Sequence, residues 1–169
     1  GEDYVGGLVG YGFDGYIKKS YAAVNVTATS TVSHAGGLIG SLSFSTGRIE
    51  NSYATGSVEG ESYTGGLVGS VTSDAKVVNS YATGDVKGSG AVGGLVGIST
   101  HRSQIANSYA TGKVEGISNI GGLVGSNTYG SSINNVYATG DVKGSGSVGG
   151  LVGDNATTSN VDGVTKASI

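Results

Sequence analysis

The chain has no cysteine, proline, methionine or tryptophan and only two histidines and two phenylalanines; charged residues fill 12% of its 169 positions. Each shortage excludes something. Without cysteine there is no disulfide scaffold, no thiolate metal site and no cysteine nucleophile. Without proline, and with glycine not at every third position, a collagen triple helix is excluded. No run of 18 or more apolar residues occurs, so no segment reads as a membrane-spanning helix. The net charge of −3 and a pI near 5.2 provide neither a basic stripe for nucleic acid nor a polybasic anchor for an anionic membrane. Disorder fits poorly too, because the 37% of apolar residues recur at regular places.

Glycine is in excess, at 34 residues, and it marks a repeat. Gly-Gly-Leu-Val/Ile-Gly begins at Gly6, Gly36, Gly65, Gly93, Gly121 and Gly149, with spacings of 30, 29, 28, 28 and 28. A second block, Asn-Ser-Tyr-Ala-Thr-Gly or a near copy, centres on Tyr53, Tyr81, Tyr109 and Tyr137; Tyr21 is a degenerate earlier member and Val164 falls near the corresponding place at the end. No i, i+3, i+4 stripe persists, and glycine and β-branched residues stand where a helix would carry Ala, Leu and Glu.

Aligning the units gives apolar columns at 17, 49, 77, 105, 133 and 161 (Ile/Val), at 26, 58, 86, 114 and 142 (Val), and at 8, 38, 67, 95, 123 and 151 (Leu). These read as inward positions of short strands separated by Gly-marked bends, about four or five apolar side chains per unit. Strict alternation through Ile105–Ala110 places Ile and Tyr inward and Ser and Ala outward. One unit is too small to hold a core, but stacked copies pair strand on strand and share one. The expected architecture is an all-β, parallel β-solenoid (β-helix) of about 28 residues per coil and about six coils, forming a single domain over 1–169. A flatter coil of half that length competes, since Leu95, Tyr109 and Leu123 are 14 apart.

Charge supports the longer coil. Positions 59, 87, 115 and 143 read Glu, Lys, Glu, Lys, and 57, 85, 113 and 141 read Ser, Asp, Lys, Asp, so stacked coils place opposite charges face to face. The first unit is irregular, with three residues inserted around Thr29 to Ser33. The chain opens inside a unit and lacks an initiator Met and a signal peptide. It reads as a segment of a longer protein or a processed form, with strand edges open to end-to-end association.

Candidate chemistry is sparse. Gly88, Gly90, Gly93 and Gly144, Gly146, Gly149 match G-x-G-x-x-G, but no helix follows to hold a pyrophosphate, and the glycines belong to the repeat. His34 and His101 occupy non-equivalent positions; His101 with Arg102 reads as a solvated surface pair in a variable loop. The carboxylates Glu59, Asp85, Glu115 and Asp141 belong to a ladder with Lys, which singles out no coil for catalysis. The sequence therefore assigns no catalytic, cofactor or metal residue, and no enzyme activity. The Thr column at 55, 83, 111 and 139, with Thr27, Thr29 and Thr31, raises ice binding; the Tyr column raises sugar binding if it faces out. Asn25-Val26-Thr27 and Asn155-Ala156-Thr157 fit the N-glycosylation pattern.

The Gly-Gly-Leu-Val-Gly pentapeptides, with cores from Gly7-Leu8-Val9-Gly10 to Gly150-Leu151-Val152-Gly153, preceded by Asn-Ser-Tyr-Ala-Thr-Gly-x-Val-x-Gly, resemble the GLUG repeat over nearly the whole chain. The first unit departs from it, with Tyr21-Ala22-Ala23-Val24 in place of Tyr-Ala-Thr-Gly. GLUG repeats occur in large microbial surface and secreted proteins, including adhesin-like proteins and non-catalytic regions of immunoglobulin A-cleaving metallopeptidases. The resemblance implies an extracellular or cell-surface setting and carries no catalytic or ligand-binding residues. The expected role is a rigid spacer or adhesive repeat. Alternatives are a lateral face for glycan or ice, or a filament subunit stacking end to end; no nucleic-acid partner and no membrane insertion of this segment are expected.

Overall fold

A computed structural model describes residues 3–156 and 159–165. These residues form 27 strands and no helix, and every strand pairing is parallel. One coil runs through Ala91–Gly93, Val96–Ser99, Gln104–Ala106, Tyr109–Ala110 and Val114–Glu115. Each strand pairs with its copy in the next unit: Val92 with Ile120, Val96 with Val124, Ile105 with Ile133, Tyr109 with Tyr137, Val114 with Val142. Tyr109 thus lies against Tyr137 and not against Leu123, which rules out the flatter coil. The chain is a β-solenoid, with two of its ladders six strands deep. In the first unit the pairing offset falls from 32 at Val26–Val58 to 29 at His34–Tyr63, which locates the three-residue insertion between them.

The three apolar columns face inward as expected: Leu38, Leu67, Leu95 and Leu123, and Ile49, Val77, Ile105 and Ile133, are fully buried. Members in the terminal coils are open, with Leu8 50% and Val161 39% exposed. The coil from Val86 to Ala110 buries seven apolar side chains, more than the sequence reading allowed: Val86, Ala91, Val92, Leu95, Val96, Ile105 and Ala110. Of the additional ones, Val96 follows Leu95 where the chain doubles back and packs with Ala110 among the Leu and Ile columns, while Val92 packs with the Val column. The interior is accordingly two compartments. The larger is lined by the Leu and Ile columns; the smaller holds Val58, Val86, Val114 and Val142 with Ala35, Val92 and Ile120.

The doubling back explains the glycines. A Cβ on Gly65 would lie 2.0 Å from the Val68 carbonyl oxygen, and one on Gly66 2.1 Å from the Gly94 carbonyl oxygen of the next coil. Gly93 and Gly94 repeat the same contacts. Backbone packs on backbone here, and only a residue without a side chain fits. Left-handed backbone is not what they supply, since among the described glycines only Gly130 has a positive φ.

At the corner ahead of the buried serines that conformation falls to asparagine in four successive coils. Asn51, Asn79, Asn107 and Asn135 have φ of 52°, 51°, 51° and 52°. Asparagine tolerates this region better than other residues with a Cβ. The corner breaks the two-residue alternation, and this corrects the expected facing of the segment. Ile105 is inward and Ala106 outward as read, but beyond Asn107 the order inverts: Ser108 and Ala110 are buried, and Tyr109 faces out. The inward serines are satisfied in a ladder. The Ser52 N–H donates to Ser80 Oγ and the Ser80 N–H to Ser108 Oγ, each at 3.2 Å. The hydroxyls of Ser80 and Ser108 donate in turn to the carbonyls of Val78 and Ala106, at 2.8 and 2.7 Å.

Candidate functional site

With the corner reversed, the tyrosines become a surface feature. Tyr21, Tyr53, Tyr81, Tyr109 and Tyr137 form one column whose ring centroids are 4.8 to 5.1 Å apart and whose planes differ by 2° to 8°. Each inner ring therefore has both faces covered by its neighbours and offers solvent only its edge and hydroxyl. A sugar that stacks on an aromatic face finds such faces only at the ends of this column. Burial, with the adjacent Tyr137 and Tyr81 phenols, pushes the Tyr109 phenol above its ordinary pKa. The Thr column at 55, 83, 111 and 139 lies two residues further on and is exposed throughout.

Past the threonines the face becomes charged. Glu59, Lys87, Glu115 and Lys143 stand in register, the arrangement expected from their alternation. Lys87 Nζ lies 3.6 Å from Glu59 Oε1, with both side chains largely exposed. In the parallel column Asp85 does not pair with the Lys113 ammonium; its Oδ1 accepts from the Lys113 N–H at 2.9 Å. Asn25 does the same near the first coil, its Oδ1 accepting from the Ser57 N–H at 3.0 Å. Thr157 of the second glycosylation pattern lies outside the described residues.

Beside the charged ladder a groove of about 790 Å³ runs along the stack, from Thr27, Ala28 and Thr29 to Lys143, Gly144 and Ser145, five coils in all. Its floor is the glycine column Gly60, Gly88, Gly116 and Gly144. A Cβ on Gly116 would point into the smaller core compartment, 2.3 Å from Ile120 Cδ1, so the floor facing the groove is backbone. One wall is the Glu/Lys ladder; the other is Glu61, Ser89, Ile117 and Ser145. Three N–H groups of the floor are committed to the stack, those of Gly60, Gly88 and Gly116 donating to the carbonyls of Lys87, Glu115 and Lys143.

The remaining polar groups are dispersed. Arg102 makes a two-point bond to Asp74 one coil away, at 3.0 and 2.8 Å, which holds the Asp74 carboxyl below and the guanidinium above their ordinary pKa values. His101 stacks on Tyr129 at 5.0 Å. The expected solvated pair is thus exposed, but each member holds a partner one coil away. His34 lies between the rings of Tyr4 and Tyr63, 4.8 Å from each. A hydrogen bond from Tyr16, and the nearby Lys18 and Arg48, lower the pKa of Glu50. Among the described residues no three His, Asp or Glu side chains gather where a metal ion could be held, and no helix is long and apolar enough to cross a membrane.

The GLUG motif model matches residues 31–59, 60–87, 88–115 and 116–143, more than half of the chain. The chain belongs to the GLUG motif family. Each matched segment spans one coil, closing on the Val-Glu or Val-Lys strand at the groove wall. A protein of Evansella cellulosilytica described as a Gly-rich membrane protein is 43% identical over 74 residues. That stretch is 43% of this chain and 8% of the relative, so the chain corresponds to a small share of that protein's length. No solved structure matches the chain.

Proposed function

We propose that this GLUG solenoid is a non-enzymatic segment of an extracellular microbial surface protein, serving as a rigid spacer or adhesive repeat. The observation that carries this reading is the parallel pairing of every coil with the next. The backbone ladder repeats once per coil along the whole stack, with serine, tyrosine and charge ladders reinforcing it in the inner coils, while the ionisable groups are spread along the stack. The GLUG family and the membrane-protein description of the Evansella relative support a surface setting. Antibody against this segment should label intact cells carrying the full-length protein; labelling only after permeabilisation would contradict the setting. For the spacer role, duplicating residues 60–115 adds two coils and should lengthen the particle by about 10 Å without changing its cross-section, as read by small-angle scattering. An unchanged maximum dimension would contradict it.

A further inference from the structure

The spacer reading leaves the lateral groove without a task. We propose that this groove binds a linear, uncharged polysaccharide laid parallel to the solenoid axis.

Shape comes first. Five coil positions at roughly 4.8 Å span about 19 Å, and the volume of about 790 Å³ falls among ligand clefts. The backbone floor lets a ribbon-like chain lie flat, and because the N–H groups of Gly60, Gly88 and Gly116 are spent on the stack, the charged groups that face a ligand are those of the walls. The walls carry three carboxylates, Glu59, Glu61 and Glu115, and two ammonium groups, Lys87 and Lys143. A polyanion meets the carboxylates along this path and a polycation the lysines. A polymer of hydroxyls satisfies both, donating to the carboxylates and accepting from the ammonium groups.

Periodicity separates a glycan from a peptide. An extended peptide rises about 3.3 Å per residue and drifts out of step with the coils. An extended β-linked hexose chain advances close to one coil spacing per ring, so successive sugars meet successive coils. The two halves of the groove also differ. Glu59 is paired with Lys87, and Glu61 accepts from Ser89 Oγ at 2.7 Å. Glu115 and Lys143 are register neighbours but form no ion pair among the described residues, which leaves both charges for a ligand. On the facing wall Ile117, 59% exposed, supplies an apolar surface for the C–H face of a ring.

The test is a titration of the intact chain, ¹⁵N-labelled, with cellohexaose, chitohexaose and mannohexaose. At least one hexamer should shift the amides of Gly88, Gly116 and Gly144 while leaving Tyr81 and Tyr109 in place. Glu115→Gln should weaken that binding at least fivefold. The pair Ser89→Arg and Ser145→Arg, which fills the groove from its exposed wall, should abolish it with the circular dichroism melt unchanged. No shift with any hexamer at millimolar concentration, shifts centred on the Tyr column, or full affinity in the filled variant would each overturn the proposal. None of these results bears on the spacer reading, whose test is particle length.

Discussion

Asn107 and Gly94 divide the work of bending one coil, and they do so for different physical reasons. Asn107 is needed for its left-handed φ of 51°, while Gly94 is needed for space, since a Cβ there would lie 2.2 Å from the Gly122 carbonyl oxygen. The two sites should therefore differ in what they tolerate. Asn107→Val should cost about 1–2 kcal/mol in urea denaturation, whereas Asn107→Gly should be near neutral because glycine adopts the same backbone. Gly94→Ala should cost more than either, as the methyl must displace a backbone carbonyl of the next coil. Equal costs for Asn107→Val and Asn107→Gly would remove the left-handed corner from the account. The same residue is where sequence reading failed. Alternation counted through Asn107 as though the strand were continuous puts Tyr109 inside; the available signal was the repeated Asn ahead of Ser, a residue type that accepts a left-handed turn.

Among the elements, the ladders were legible where each column is a single residue type and illegible where the path between columns matters. The Leu, Ile and Val columns and the Glu/Lys alternation are read directly from positions one repeat apart. The groove is not, because its floor is backbone whose Cβ positions point into the smaller core, as at Gly116 against Ile120, a direction that no column shows. Two ladders give direct tests. Glu115→Lys puts a third ammonium between Lys87 and Lys143, and should lower the melting temperature more at low salt than at high salt, since exposed like charges are screened. An equal drop at both would mean the substitution acts through packing. For the Tyr column, the Tyr109 phenol has its pKa raised by burial and by Tyr137 and Tyr81. Its contribution is fully present below the unfolded value of about 10 and is lost as pH rises beyond that through the folded value. The melting temperature should fall above about pH 10, and less steeply in Tyr109→Phe. The same alkaline slope in both proteins would count against the shift.

At the scale of the molecule, groove, ladders and core all follow from one geometric relation: equivalent residues of successive units are neighbours along the axis, one strand spacing apart. The first unit obeys it after its inserted residues are discounted, since Thr27 pairs with Glu59 despite a separation of 32. The absence of cysteine, which excluded disulfides at the outset, makes this relation easy to measure, because introduced cysteines are the only thiols. Spin labels at Thr27→Cys and Lys143→Cys occupy the two ends of the groove wall, 116 positions apart in sequence and four coils apart in the stack. The expected result of a pulsed dipolar measurement is a narrow distribution at about 19 Å, from four spacings of roughly 4.8 Å. A distribution at about 40 Å, which the flatter coil of half the length would give at the same spacing, or one too broad to define a distance, would contradict the solenoid described here.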